Sequence, residues 1–204
     1  MATSWKNQDI IIKGMEVLTH YNKSFNKIIY AEKETKNREF DTCNFINCDF
    51  SNGLFLSSLF TNCVFTGCNL TMTKFNHCQL DNITFKECKL LGVNFSSCND
   101  FLFSLKFDGC ILDCCSFTRK KLQKTPFINS SVKDADFSEC DLTNSVFKNA
   151  DLTNTTFSNT NLKGVNFLTA KNYNIDPEQN NIAKAKFSIE GVVGLLNKYD
   201  IKIE

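Results

Sequence analysis

The sequence predicts an all-β chain wound into a square coil, about seven coils long, with a helix near its C-terminus. Three observations predict it: Phe or Leu recurs at every fifth residue, a small residue stands two places before most of these, and sorting the recurrent positions by fours separates Phe from Leu. A chain of 204 residues fits one such domain with a small appendage.

The recurrence starts at Phe40 and proceeds in steps of five through Phe45, Phe50, Phe55, Phe60, Phe65, Leu70, Phe75, Leu80, Phe85, Leu90 and Phe95. Asp100 breaks it. Two residues out of phase it resumes at Leu102 and continues through Phe107 and Leu112 to Phe167, giving 26 positions with 16 Phe, 9 Leu and 1 Val. A period of five matches neither the 3.6 of a helix nor the 2 of a strand. It matches a chain that turns a corner every five residues and sends one large and one small side chain inward each time.

Four corners close a coil of about 20 residues, so every fourth member of the series should fall in one column. One column is then Phe45, Phe65, Phe85, Phe107, Phe127, Phe147 and Phe167, and another is Phe55, Phe75, Phe95, Phe117, Phe137 and Phe157. The remaining two are mostly Leu, one of them running Phe40, Phe60, Leu80, Leu102, Leu122, Leu142, Leu162. The sorting survives the break, which therefore reads as a two-residue bulge near 96–101. Coils at the ~4.8 Å spacing of paired strands would stack like rings face over face.

Ten of the eleven cysteines (Cys43, Cys48, Cys63, Cys68, Cys78, Cys88, Cys98, Cys110, Cys115 and Cys140) occupy the small inward position. Their spacing contains no CxxC pair, so it points to packing rather than to a metal or a disulfide framework. Cys114 alone is out of pattern and is the candidate for an exposed, reactive thiol, with a redox-sensing scaffold as the idea it raises. Many thiols without a secretory signal point to the cytoplasm.

No catalytic constellation is legible. The chain has two histidines, and His77 falls between inward positions and should face solvent. No Gly-rich phosphate loop is present, and a solenoid without large inserted loops offers no deep pocket. The expectation is a protein that is not an enzyme and takes no cofactor or metal. Charge adds little: 23 basic against 22 acidic residues give +1, which carries no bulk signal for nucleic acid or an anionic membrane. Two clusters stand out, a basic one (Arg119, Lys120, Lys121, Lys124) and an acidic one (Asp134, Asp136, Glu139, Asp141, Asp151), the latter a candidate partner-facing patch. Residues 20 apart should be one coil apart, which sets Lys121 beside Asp141.

Phe25, Tyr30 and Thr35 are in phase with Phe40, so a degenerate first coil should begin at about residue 22 and the repeat domain should span 22–170. Residues 1–21 are an extension, helical or disordered; Ile10, Ile11, Met15 and Leu18 fit a short helix. Residues 171–204 read as a turn, a helix over about 188–199 capped by Ser188, and a short strand at Ile201–Ile203. The helix presents Ile189, Val192, Val193, Leu195, Leu196 and Tyr199, and Gly191 and Gly194 would allow close backbone approach. It could cap the last coil or mediate self-association, and the sequence leaves both open. Outward-facing Asn82 should tolerate Ala at little cost.

The five-residue ladder, with Asn94-Phe95, Ala150-Asp151-Leu152-Thr153-Asn154 and Asn161-Leu162-Lys163-Gly164 as its cleanest examples, resembles the pentapeptide-repeat family, A(D/N)LXX, over residues 40–167. That resemblance implies a right-handed quadrilateral β-helix. The cysteine-rich ladder, the single interruption and the C-terminal segment are similar to the bacterial quinolone-resistance (Qnr-type) and McbG-like branch in a form found in Bacteroidetes. What the branch implies is a homodimer formed through the C-terminal segment that binds DNA gyrase or topoisomerase IV and protects it from inhibitors, with the rod imitating duplex DNA rather than binding it. The repeat body 40–170, with 11 basic and 12 acidic residues, is less acidic than such a mimic should be. A protein-interaction scaffold without DNA mimicry is the second reading.

Overall fold

The computed structural model describes residues 17–202. The chain is a parallel β-solenoid with four walls, and successive coils pair in register at an offset of 20 residues: Phe25 with Phe45, Phe40 with Phe60, Phe55 with Phe75. We number the walls 1 to 4 in chain order, by the columns that begin at His20, Phe25, Tyr30 and Thr35. Wall 2 is the most regular. Its strands Ser24–Asn26, Asn44–Ile46, Val64–Thr66, Ile83–Lys86, Leu105–Asp108 and Phe127–Ile128 form one six-stranded parallel sheet. Among the described residues wall 1 has four strands and wall 4 has three, while wall 3 is held by single parallel bridges such as Asp49 to Asn69. About six turns separate Phe40 from Phe167, and in-register pairs extend the stack beyond both.

The ladder points inward as its period requires. Phe40, Phe85, Phe117 and Phe147 are among the fully buried side chains. Within a column the rings lie nearly parallel, with Phe127 and Phe147 centroids 4.7 Å apart at 3°. Across the interior the two Phe columns meet edge to face, Phe127 against Phe137 at 5.5 Å and 86°. Both arrangements are the ones the ring quadrupole favours. The Leu columns fill the space at either side.

The corners are made by left-handed backbone. A positive φ recurs two residues after the ladder position at almost every corner, at Asn47, Asn62, Asn82, Asn129, Asn144, Asn154 and others, and at Gly67, Gly92, Gly109 and Gly164. Asn and Gly are the residues that tolerate this region best, so much of the chain's asparagine serves the corners. Asn82 is one of them, at φ 51. It also donates to Asn62 Oδ1 at 2.8 Å and accepts from Lys106 Nζ at 3.0 Å. Replacing it with Ala therefore costs more than its exposure suggests, about 1 kcal/mol.

The small inward position does more than save space. At this turn the carbonyl of the ladder residue faces the interior and needs a donor. Cys63 Sγ donates to Phe40 O at 3.3 Å, Cys140 Sγ to Phe117 O at 2.9 Å, and Thr160 Oγ1 and Ser145 Oγ do the same for Phe137 and Leu122. Cysteine is thus used as a small donor, interchangeable here with Ser and Thr. Burial pushes the Cys110 thiol up to about 11 and those of Cys78 and Cys140 up to about 12, so these remain protonated and unreactive.

Several boundaries differ from expectation. The solenoid already includes Leu18, ahead of the expected start at about residue 22: strand Leu18–Tyr21 pairs with Arg38–Asp41, and His20 stacks on Phe40 at 4.9 Å. Leu18 is therefore a strand residue; Ile10, Ile11 and Met15 lie outside the described residues. The interruption sits at 100–103, since Asn99 N still bonds Cys78 O one regular coil back while Leu105 pairs with Ile83 at an offset of 22. Leu102 is not a ladder residue. It turns a corner at φ 53 and is 53% exposed, because the two added residues let the chain swing outward, and Phe103 packs partly against the core in its stead, edge-on to Phe95.

The C-terminal segment forms two short 3-10 turns, Gly191–Leu195 and Asn197–Tyr199, in place of the expected helix over 188–199. Two glycines and two β-branched valines weaken an α-helix here. The glycines also lie against Tyr173, where a Cβ on Gly191 would overlap the hydroxyl and one on Gly194 the backbone oxygen. Ser188 does cap, accepting from Gly191 N at 3.0 Å. Ile201 and Lys202 form no strand, and Ile203 lies outside the described residues.

Candidate protein-binding surfaces

The acidic cluster is contiguous in sequence but not in space. A coil carries its sequence around the girth, so Asp151 lies on wall 3, Asp134 at the corner of walls 3 and 4, Asp136 on wall 4, Glu139 at the corner of walls 4 and 1, and Asp141 on wall 1. Three of the five are corner pins. Asp136, Asp141 and Asp151 sit one residue before the ladder and accept the N–H two residues on, from Ser138 at 2.8 Å, Thr143 at 3.0 Å and Thr153 at 3.2 Å. This Asx turn recurs at Asp49, Asn69, Asn94 and Asn161. The other two are engaged as well: Asp134 accepts from Asn154 Nδ2 at 3.0 Å, and Glu139 makes a two-pronged pair with Arg119 at 3.0 and 3.1 Å.

Partial burial raises the Asp151 pKa, but hydrogen bonds from Thr153, Asn172 and Lys133 outweigh it and hold the carboxyl at about 2. This lies below the unfolded value, so Asp151 stabilises the fold above about pH 4 and loses that contribution as the pH falls toward 2. Asp151→Asn should therefore make stability less dependent on pH between about 5 and 2, measured as denaturation midpoints. An unchanged acid limb would remove this role.

The basic cluster also divides. Arg119, Lys121 and Lys124 are exposed, whereas Lys120 is 3% exposed. Lys120 occupies the small inward position below the interruption. Its Nζ donates to Cys98 O at 2.6 Å, pairs with Asp100 at 2.5 Å and lies 5.2 Å from the centre of the Phe103 ring. The expected neighbours Lys121 and Asp141 do face each other across coils through a parallel bridge, but Asp141 takes its side-chain hydrogen bonds from Gln123, Thr143 and Asn161. Sequence phase could have found Lys120, since residue 120 is two before Leu122; it was hidden by the charged residues on either side.

Among the C-terminal candidates, Ile189, Val192, Val193 and Tyr199 are exposed, Leu195 is buried and Leu196 is intermediate. The turns are tied to the last coil by Lys198, which bonds Asp176 and Glu178 at 2.7 and 2.5 Å, by Tyr199 Oη donating to Glu178 at 2.9 Å, and by Ile175 N donating to Gly194 O. A cleft of about 500 Å³ lies between the turns and Asn149, Lys171 and Tyr173. The Tyr173 hydroxyl is buried without a hydrogen-bond partner among the described residues.

His77 is exposed at a left-handed corner. Cys114 is the one exposed cysteine of the eleven. A thiol reagent should label one cysteine rapidly in the folded protein, and Cys114→Ser should abolish that fast phase; several fast equivalents would contradict the inward thiol column. Among the described residues no group of three or more His, Cys, Asp or Glu side chains is placed to hold a metal ion, and no helix is long and apolar enough to cross a membrane.

A family model of the pentapeptide repeat region matches residues 38–103 and 100–167. The chain belongs to the pentapeptide-repeat family. Two trypsin-treated variants of QnrB1, described as a plasmid-mediated fluoroquinolone resistance protein, share the solenoid. One has a TM-score of 0.59 at 14% identity over 91% of this chain and 99% of that one; the other has 0.55 at 14% identity over 92% and 99%. At that identity the likeness is one of fold. No curated protein matches the chain in sequence. The interior of the solenoid is filled, so the candidate surfaces are its four walls and the C-terminal turns with their cleft.

Proposed function

We propose that the chain is a non-catalytic, cytoplasmic protein-binding solenoid of the Qnr-type and McbG-like branch, whose partner is DNA gyrase or topoisomerase IV and whose role is to protect that enzyme from quinolones. The observation that carries this reading is the solenoid's near end-to-end likeness to QnrB1, joined to the cysteine-rich ladder and its single interruption. Exposed Ile189, Val192, Val193 and Tyr199 are the surface through which we propose two copies pair.

A gyrase supercoiling assay with ciprofloxacin tests it. Added protein should restore supercoiling, and light scattering should give a dimer mass that Val192→Asp reduces to that of one chain. No rescue together with no gyrase pull-down would remove the topoisomerase reading. The second reading, an interaction scaffold without DNA mimicry, is favoured by the acidic side chains, which are spread over three walls and engaged in turns and ion pairs.

A further inference from the structure

We propose that the C-terminal half of wall 2 is a docking face for an acidic protein segment that carries apolar side chains. This goes beyond the topoisomerase reading and does not depend on it.

Wall 2 continues through the interruption, since Ile83–Lys86 pairs with Leu105–Asp108 and that strand with Phe127–Ile128. Below the interruption its outward positions form two columns. Pro126 and Val146 stand over each other in one, joined by a parallel bridge, and Ile128 and Leu168 flank Lys148 in the other. Pro126, Val146 and Ile128, each half-buried, make one apolar patch, and exposed Leu168 stands beyond Lys148. Lys106, Lys124, Lys184 and Lys186 lie around these side chains and Lys148 among them, all exposed.

Among the described residues none of these lysines makes an ion pair; the ion pairs below the interruption join Lys120 to Asp100, Arg119 to Glu139, Lys133 to Asp151, and Lys198 to Asp176 and Glu178. Lys106 donates only to Asn82. Two acidic groups stand at the edges of this part of the wall: Asp108, which accepts from Asn129 Nδ2 at 3.2 Å, and Glu190, which lines the C-terminal cleft together with Leu168. Lys121, Lys163 and Lys171 on walls 1 and 3 also make no ion pair among the described residues, but there the acids Asp113, Asp134, Asp141 and Asp151 stand among them, whereas on this part of wall 2 basic side chains predominate.

Apolar side chains set among mainly basic ones call for the opposite sign around matching apolar anchors. Nucleic acid fits less well. The patch has no exposed aromatic ring for a base to stack on, and aliphatic side chains stand among its lysines.

The test is fluorescence anisotropy with the full chain and a labelled amphipathic peptide bearing Leu on one face and Glu on the other, with a labelled DNA duplex in parallel. The wild type should bind the peptide, more weakly as salt rises. Lys106→Glu with Lys148→Glu should weaken binding by about tenfold. Leu168→Ser should weaken it at unchanged charge. Lys74→Glu with Lys89→Glu, on walls 4 and 3, should leave it unaltered. Each variant is checked for wild-type thermal unfolding. Failure of the wild type to bind the peptide, equal loss in the Lys74/Lys89 control, or tighter binding of the duplex at the same lysines would each overturn the proposal.

Discussion

Phe85→Ala is expected to lower the unfolding free energy by about 3–5 kcal/mol. Phe85 is fully buried in the wall 2 column, stacked on Phe65 at 5.1 Å and on Phe107 at 5.5 Å, with Phe95 edge-on at 6.4 Å. Truncation removes one ring from three contacts, and strands fixed in register above and below cannot collapse into the hole. Equilibrium denaturation in guanidinium measures it. Asn82→Ala, three residues earlier, is the comparison, at about 1 kcal/mol from the left-handed corner. Equal costs for the two would contradict the inward assignment of the ladder.

Lys120→Ala should cost about 2–4 kcal/mol and loosen the excursion at 100–103. The lysine stem fills the space beneath the coil that lacks a regular ladder residue, and its ammonium satisfies the inward carbonyl of Cys98 while pairing with Asp100. Lys120→Met keeps the stem without the donor and should recover part of the loss. Limited digestion with chymotrypsin gives a local readout: exposed Phe101 and Leu102 should be cut faster in Lys120→Ala than in the wild type. If both variants match the wild type in stability and in cleavage, the lysine is not what holds the excursion.

The fold was legible because it is periodic. A five-residue step in Phe and Leu, read in fours, gives the columns that the structure builds, and Leu102 departs from them only where the period itself fails. Irregular parts were less legible. At Ser188–Tyr199 an amphipathic spacing suggested a helix, but glycines held against Tyr173 make 3-10 turns instead. His20 was in phase with Phe40, yet its polarity disguised it as part of the extension.

The sequence by itself determined what lies inside: the repeat sets which side chain turns inward, and like side chains then stack because each coil repeats the last one at strand spacing. Only the tertiary structure decided what lies together outside. Neighbours in sequence run around the coil while neighbours in space lie some 20 residues apart, so five successive acids scatter over three walls, a lysine in a basic run turns inward, and lysines from five separate repeats gather around one apolar patch. A solenoid's surface is assembled along its axis, at right angles to the order in which its chain is written.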